Sequence, residues 1–329
     1  MQSILADTFI IFLGFVGLIL GARWLVEGAS VLARSLGVSP LVIGLTIVAV
    51  GTSAPEMFSS AAAAFAGEPE LAIGNALGSN LFNVGVALGV AAIISPLKPP
   101  DSLIDLSFST SLIVDEIPAL LLVTLVTGAL LLNLYLGLFD ALVLLGITAL
   151  FVYQLFKKKT DSPPEFKQSD FSDLNRLRAV AYLLLGLVLL ITSAEFLVRA
   201  ASSIAESLSV STAVIGLTIV ALGTSLPELA TTVTCALNRQ HDLAIGTIFG
   251  SNILNLLTVL PFPGLFSPGP IEPLLLSRDY LAVLVLTLLL SYYCYRGIKR
   301  QKMIGRLCGL TFLSIYCGWF TVMLIQVQN

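Results

Sequence analysis

GLTIVAVGTSAPE, at Gly44–Glu56, returns almost unchanged as GLTIVALGTSLPE at Gly216–Glu228. The two stretches lie 172 residues apart and are identical at 11 of 13 positions. At the same offset, LAIGNALGSNLFN at 71–83 returns as LAIGTIFGSNILN at 243–255, with no insertion or deletion between the matches. Self-similarity at one fixed offset is the signature of internal duplication. The chain is therefore predicted to consist of two equivalent halves.

The composition points to a lipid environment. Of the 329 residues, 57% are hydrophobic and only 11% are charged, and the mean hydropathy is +0.97. A soluble domain carries about a quarter of charged residues, so this chain has too few charges to cover a water-exposed surface. The net charge of −3 and the lack of a basic cluster interleaved with aromatic residues argue against nucleic acid as a partner.

The hydropathy predicts an all-α integral membrane protein. A helix needs roughly 20 mostly apolar residues to cross a bilayer, where no water can satisfy bare backbone groups. Ten segments meet this requirement: 4–24, 39–65, 70–94, 112–132, 135–156, 179–199, 211–236, 242–262, 280–295 and 306–326. The predicted organisation is a first five-helix membrane repeat at 1–156, a polar cytoplasmic linker at 157–178 and a second five-helix repeat at 179–329.

An odd number of spans in each half has a geometric consequence. Five crossings leave the chain on the opposite side of the membrane, so the second copy enters upside down and the repeats are inverted. Short cytoplasmic loops collect Lys and Arg. If the N-terminus is outside, 15 of the 17 basic residues fall in inside segments, and only Arg199 and Arg278 fall outside. Both termini are therefore predicted to be non-cytoplasmic.

Glu56 and Glu228 are the candidate centre of the functional site. Ionisable residues are costly inside a membrane, so they are rare and face the bundle interior or a water-filled path. Inverted symmetry is expected to bring these two glutamates together near the midplane. Two neighbouring carboxylates repel each other in a low dielectric unless a proton or a cation compensates them. A divalent cation matches their combined charge.

Hydroxyl groups accompany both glutamates at helical spacing. The residues three and four positions earlier share a helical face with each glutamate. They are Thr52, Ser53, Thr224 and Ser225. Calcium prefers six to eight hard oxygen ligands, whereas softer metals prefer the His and Cys side chains that the predicted core largely lacks. Pro55 and Pro227 also displace the carbonyl groups four residues earlier, at Gly51 and Gly223, which favours a cation site at each kink.

The neighbouring spans carry further polar pairs at a spacing of four residues. These pairs are Ser79 with Asn83 and Ser251 with Asn255. Each pair can present side-chain oxygens from one helical face. Small polar residues also let membrane helices pack closely and bond to one another, and that alternative stays open for these four residues.

The motifs GTSAPE with GSNLFN, and GTSLPE with GSNILN, resemble the two alpha repeats of the cation/calcium antiporter superfamily, which includes the prokaryotic sodium/calcium exchangers. The resemblance covers essentially the whole chain. It implies that Glu56 and Glu228 bind the transported calcium, surrounded by the four hydroxyl residues. It also implies backbone ligands at Ala49 and Ala221, and flanking ligands at Ser79, Asn83, Ser251 and Asn255.

Two departures from the pattern bear on the ions. Asn255 stands where the potassium-dependent relatives carry an Asp, so coupling to potassium is not expected. Thr247 breaks the repeat, because its equivalent in the first half is Asn75. The short linker also leaves no room for the calcium-sensing domains of animal plasma-membrane exchangers.

The sequence thus predicts a secondary active antiporter that exchanges calcium for sodium by alternating access. A calcium/proton antiporter is the alternative, and a passive cation channel is a more distant one. An enzyme is not expected, since the chain has no HExxH or GxSxG motif. No cofactor is expected, the expected partners are the transported ions and the lipid bilayer, and the expected location is a cell inner membrane.

Overall fold

The computed structural model of the protein describes residues 2–97, 115–157, 175–208, 219, 221–300 and 304–328. These residues are almost entirely helical, which confirms the predicted all-α class. The helices of the first half are α1 (Gln2–Leu36), α2 (Pro40–Ile43), α3 (Ala49–Thr52), α4 (Ala54–Phe65), α5 (Pro69–Phe82), α6 (Gly89–Ile94), α7 (Ile117–Leu131) and α8 (Leu138–Lys157). Those of the second half are α9 (Arg176–Ser207), α10 (Ala221–Thr224), α11 (Leu226–Leu237), α12 (His241–Leu254), α13 (Pro261–Phe266), α14 (Leu281–Arg300) and α15 (Arg306–Gln328).

Stretches of wider π-helical winding continue several of these helices, among them Gly44–Val48, Asn83–Leu88, Asn255–Val259 and Leu275–Tyr280. Two short antiparallel strands, β1 (Tyr135–Leu136) and β2 (Gly269–Pro270), pair with Leu136 opposite Gly269. The backbones of Leu97 and Ile304 form a second bridge. Each of these pairings joins a loop of the first half to a loop of the second.

Within the described residues, seven helical segments are long and apolar enough to cross a bilayer: Ile4–Leu36, Pro69–Ile94, Leu138–Leu155, Arg176–Ser207, His241–Phe266, Leu275–Lys299 and Arg306–Gln326. An eighth is obtained if Pro40–Thr52 and α4, which meet at a bend of 45°, form one broken span. The shorter apolar helices α7 and α11 lie within the fourth and seventh predicted spans, and part of both spans is outside the described residues. The multi-pass helical membrane fold is confirmed, whereas the described helices do not establish the predicted count of ten.

Helices α1 and α9 extend well beyond their predicted spans. They contain 35 and 32 residues, which is about 50 Å at 1.5 Å per residue, against a hydrocarbon core of about 30 Å. The predicted first span ends at residue 24, with Arg23 near its end and Glu27 and Arg34 beyond it. In the structure all three belong to α1, and Arg23 is exposed. Long charged side chains at a helix surface reach the membrane interface, so they do not end the helix.

The two long helices pack closely and run antiparallel. A Cβ atom built on Gly14 would lie 3.3 Å from Ser193 O, one on Gly21 would lie 2.9 Å from Gly186 O, and one on Gly28 would lie 2.5 Å from Ala179 O. The partner's residue number falls as the glycine's number rises, so the helices have opposite directions. Glycine permits this backbone approach, as at other membrane helix interfaces.

Burial separates a central layer of helices from a peripheral one. Nearly all residues in the most apolar 18-residue stretch of the segment 241–266 are buried (94%), whereas few are buried in that of the segment 4–36 (17%). The outer surface of α1 exposes large apolar side chains, including Leu5, Phe9, Phe12 and Ile19, each more than 60% exposed. A continuous apolar surface of this kind is matched to lipid rather than to water. The central helices are therefore the ones that enclose a site.

Candidate ion-binding site

Two helices are interrupted at equivalent positions, Ser53 in the first half and Ser225 in the second. Ser53 separates α3 from α4 with φ −84° and ψ 4°, and Ser225 separates α10 from α11 with φ −94° and ψ 7°. Pro55 and Pro227 are in the first turn of the following helices, where the missing amide donor disturbs no helical hydrogen bond. Each interruption thus exposes one helix C-terminus and one helix N-terminus to the same region.

Glu56 and Glu228 lie in the first turns of α4 and α11, and both side chains are completely buried. Each carboxylate accepts a hydrogen bond from the serine at the interruption of the opposite half. Ser225 Oγ donates to Glu56 Oε1 at 2.8 Å, and Ser53 Oγ donates to Glu228 Oε1 at 3.0 Å. The glutamates and serines predicted from the sequence are therefore brought together by reciprocal contacts between the halves.

The second oxygen of each carboxylate has no hydrogen-bond partner. Glu56 Oε2 and Glu228 Oε2 are both buried, and neither has a donor within reach among the described residues. A buried charged oxygen without a partner is costly, because it has lost its water and gained nothing in exchange. The two carboxylates also lie close enough to repel each other. A cation between them would satisfy both oxygens and cancel the repulsion.

Three further hydroxyl groups border the carboxylates. Ser79 lies beside Glu56, and Thr52 and Ser251 lie beside Glu228. The buried hydroxyl of Ser251 has no hydrogen-bond partner among the described residues. Ser225 Oγ also lies 3.1 Å from Ser79 Oγ. No group of three or more His, Cys, Asp or Glu side chains occurs in the described ranges. The oxygens around the two carboxylates are thus neutral ones.

The other predicted site residues lie on the same helices. Thr52 is buried and donates to Val48 O at 3.1 Å within its own helix, which leaves its lone pairs available. Ala49 is buried at the start of α3, Ala221 begins α10, and Thr224 is half-buried at the end of α10. Their backbone carbonyls belong to the C-terminal turns that face the interruptions.

Asn83 and Asn255 are completely buried and begin equivalent π-helical stretches. Asn80 and Asn252, which the sequence analysis did not single out, are also buried and bond across the halves. Asn80 Nδ2 donates to Asn252 O at 3.1 Å, and Asn83 Nδ2 donates to Asn252 Oδ1 at 3.2 Å. The sequence feature that marks these two residues is the repeated GSN motif. Its Asn in the first half contacts the equivalent Asn of the second half, 172 residues later.

The sequence difference between Asn75 and its equivalent Thr247 changes the hydrogen bonds between neighbouring helices. Asn75 Nδ2 donates to Glu56 O at 3.2 Å and to Ser60 Oγ at 2.8 Å, which ties α4 to α5. Thr247 instead donates to Leu243 O at 2.9 Å within its own helix. Thr232, the equivalent of Ser60, has a buried hydroxyl with no partner in the described part of the chain. The helix of Glu56 is therefore tied to the next helix through Asn75, and Thr247 provides no equivalent bond to the helix of Glu228.

In this bundle of membrane-length helices, two interrupted helices meet at a pair of buried carboxylates. This arrangement defines a class of protein, the membrane transporters with an ion site between two helical units. The model of the family described as "Sodium/calcium exchanger protein" matches residues 7–157 and 178–325. The chain belongs to this family, whose members are exchangers and hence transporters rather than enzymes.

Individual relatives match over nearly the whole chain. Inner membrane protein YrbG of Escherichia coli (strain K12) is 34% identical and covers 97% of both chains. Sodium/calcium exchanger MaX1 of Methanosarcina acetivorans is 31% identical over 95% of this chain and 97% of its own length. The solved structure of the sodium-calcium exchanger NCX_Mj soaked with zero Na⁺ and Ca²⁺ matches with a TM-score of 0.81 and 30% identity, over 97% of this chain and 99% of that chain.

Proposed function

We propose that this protein is a secondary active antiporter that exchanges calcium for sodium through one site centred on Glu56 and Glu228. The observation that carries the proposal is the pair of buried carboxylates between the two helix interruptions, each with one oxygen bonded across the halves and one oxygen without a partner. Two carboxylates match the charge of one calcium ion. Family membership supports the same transported ions.

The proposed ligands form two equivalent sets. Carboxylate oxygens come from Glu56 and Glu228, hydroxyls from Thr52, Ser53, Thr224, Ser225, Ser79 and Ser251, amide oxygens from Asn83 and Asn255, and backbone carbonyls from Ala49 and Ala221. Hard oxygen ligands in excess of six suit calcium, and subsets of them suit sodium. Because Asn255 is neutral, the protein contributes no third carboxylate to the site.

Alternating access follows from competition for these shared ligands. An empty site keeps two mutually repelling carboxylates in a buried environment, so the occupied and neutralised site is the form expected to change its open side. Calcium and sodium would then cross in opposite directions on the same ligands. Protons are the second candidate counter-ion, because a buried carboxylate pair is also able to carry them.

We further propose ten spans in two inverted repeats. Two contacts support the inversion. The antiparallel α1 and α9 are equivalent at the 172-residue offset, and the two serine–glutamate hydrogen bonds are images of each other under a two-fold rotation. The proposed location is a cell inner membrane, with both termini on the non-cytoplasmic side and the linker at 157–178 in the cytoplasm.

The test is uptake of calcium-45 into proteoliposomes that contain the purified protein. Vesicles loaded with sodium and diluted into sodium-free buffer are compared with sodium-free vesicles that carry an imposed pH gradient. Uptake that requires the sodium gradient is the expected result. Uptake driven only by the pH gradient identifies the proton-coupled antiporter, and uptake that needs neither gradient identifies a passive channel.

A further inference from the structure

Four buried asparagines meet where the C-terminal ends of α5 and α12 approach each other. They are Asn80, Asn83, Asn252 and Asn255, and none is more than 2% exposed. At the offset of the repeat, Asn80 is equivalent to Asn252, and Asn83 is equivalent to Asn255. The cluster therefore consists of two chemically identical pairs, one from each half.

The hydrogen bonds within the cluster do not follow the two-fold equivalence of its residues. Asn80 Nδ2 donates to Asn252 O, and Asn83 Nδ2 donates to Asn252 Oδ1. Both donors come from the first half, and both acceptors belong to one residue of the second. The bond from Asn83 fixes the plane of its amide group, and its buried Oδ1 has no partner within the described chain.

A two-fold rotation turns this bond set into a second one, in which Asn252 Nδ2 donates to Asn80 O and Asn255 Nδ2 donates to Asn80 Oδ1. Neither bond is formed. Every side-chain atom that the second set requires is buried and has no partner in the part of the structure described, namely Asn252 Nδ2, Asn255 Nδ2 and Asn80 Oδ1. Buried amide groups are rarely left without partners, so these atoms need an explanation.

A second contact pair breaks the symmetry independently. Ser95 N donates to Ala91 O and Ser267 N donates to Pro263 O, both at 2.9 Å, so the equivalent serines have equivalent backbones. Ser95 Oγ also donates to Ala236 O in the other half at 2.9 Å. Ser267 Oγ has no partner among the described residues. At these positions the two halves thus have the same residue types but different hydrogen bonds.

We propose that the asparagine cluster is a two-position switch on the pseudo-two-fold axis, and that Asn252 and Asn80 are its alternating positioning residues. In the conformation described, Asn252 holds Asn83 in the orientation of an ion ligand. In the conformation open to the opposite side, Asn80 holds Asn255 in the same way. This inference rests on the proposed exchange function, and it assigns roles to Asn80 and Asn252 that ion ligation itself does not require.

The switch explains why unpartnered amide atoms persist in the core. The second bond set uses Asn252 Nδ2, Asn255 Nδ2 and Asn80 Oδ1, and the amide oxygens of Asn83 and Asn255 are left for the ion, so no single conformation satisfies all four residues. The exchange of one bond set for its image costs little net free energy, because bonds of the same type are broken and made. Such near-equality is what a transporter needs if both open states are to be populated.

The experiment measures the KM for calcium separately at the two membrane faces, in right-side-out and inverted vesicles with an opposing sodium gradient. The variants are Asn80→Leu and Asn252→Leu, which keep the side-chain shape but lose the amide. Each variant is expected to raise the calcium KM about tenfold at one face only, as expected for one lost hydrogen bond at a ligand, and the affected faces are opposite. Thr258→Val is the control, because among the described residues the Thr258 hydroxyl bonds to Leu254 O in its own helix and to no group of the cluster.

The possible results distinguish failure of the switch from failure of the proposed exchange function. Absence of exchange in the wild type would refute the proposed function and the switch with it. Active wild type with both variants impaired at the same face, or equally at both faces, would refute the switch alone. If a Leu variant is not monodisperse on size exclusion, Asn80→Ser and Asn252→Ser replace the pair, since the shorter hydroxyl cannot reach the partner amide, and the same crossed result is required.

Discussion

At the scale of single residues, the two oxygens of each buried glutamate have different surroundings. Oε1 of Glu56 and of Glu228 is held by a serine of the opposite half, and Oε2 has no donor within the described residues. The serine fixes the carboxylate in one orientation and leaves the second oxygen for an ion. Preorganisation of this kind lowers the cost of binding, because the ligand does not have to be ordered when the ion arrives.

Replacing either glutamate by glutamine should abolish exchange. Glu56→Gln or Glu228→Gln removes one negative ligand from a buried site, which costs about 2–5 kcal/mol by analogy with other buried charge pairs. Calcium affinity should fall by about 30-fold or more. Calcium binding by isothermal titration calorimetry and sodium-driven flux are the measurements. Glu70→Gln is the matched control, because Glu70 is an exposed glutamate in the first turn of α5. Normal exchange in both site variants would show that the two glutamates are not ion ligands.

The sequence was sufficient to predict that the two glutamates and the two serines lie together, because each pair shares a helical face and the repeat relates the two pairs. Their role as ion ligands stays a prediction. The sequence was not sufficient to predict Asn80 and Asn252. The spacing of four residues selected Ser79 with Asn83, and left Asn80 on another face of the helix. Asn80 becomes informative only once the two halves are assembled, since its partner is its own equivalent in the second half.

At the scale of elements, the helix of Glu56 and the helix of Glu228 are equivalent in sequence but not in attachment. Asn75 ties α4 to α5 through Glu56 O and Ser60 Oγ, and Thr247 makes no such bond to α11. The carboxylate of the second half is therefore on a helix that lacks the side-chain bonds to its neighbouring helix that Asn75 makes in the first half. Sequence comparison of the halves identified this position as a departure but gave no indication of its mechanical effect.

Exchanging these two side chains should exchange the stiffness of the helices. Asn75→Thr removes two hydrogen bonds of about 1 kcal/mol each, so amide hydrogen exchange should accelerate in 54–65 and remain unchanged in 226–237. Thr247→Asn offers a donor to the unpartnered hydroxyl of Thr232, so exchange in 226–237 should slow. Mass spectrometry of the protein in detergent measures both. Equal protection of α4 in the wild type and Asn75→Thr would show that these bonds do not restrain the helix.

Helix lengths were predicted less well than helix positions. Hydropathy places the apolar part of a helix, so the predicted spans 4–24 and 179–199 are both much shorter than α1 and α9, which have 35 and 32 residues. The extra turns carry charged residues that an exposed helix surface accommodates at the membrane interface. The two helices pack against each other along a surface lined with glycines, and this contact stabilises the extra turns. A contact between distant parts of the chain is not visible in a local sequence pattern.

At the scale of the whole molecule, two nearly identical sequence motifs produce halves that differ in detail. The serine–glutamate contacts obey the two-fold relation, whereas the asparagine cluster and the contact of Ser95 with Ala236 do not. At the four asparagines and at Ser95 and Ser267 the two halves carry the same residue types, so these residues do not themselves determine which half takes which bond set. In the proposed switch, exchanging the two bond sets between the halves gives an alternative with bonds of the same type, as the proposed alternating access of two inverted repeats requires.

The proposed topology predicts where three points of the chain lie. Ten crossings return the chain to its starting side, so a reporter fused before residue 2 and one fused after residue 328 should both be non-cytoplasmic, and one inserted near residue 166 should be cytoplasmic. Alkaline phosphatase, which is active only outside the cytoplasm, and green fluorescent protein, which is fluorescent inside it, give opposite readings at each point. Termini on opposite sides would mean an odd number of crossings and would exclude two inverted five-helix repeats. Both termini in the cytoplasm would keep the repeats but reverse the orientation, and the excess of Lys and Arg would then be on the outside, against the charge distribution that directs insertion.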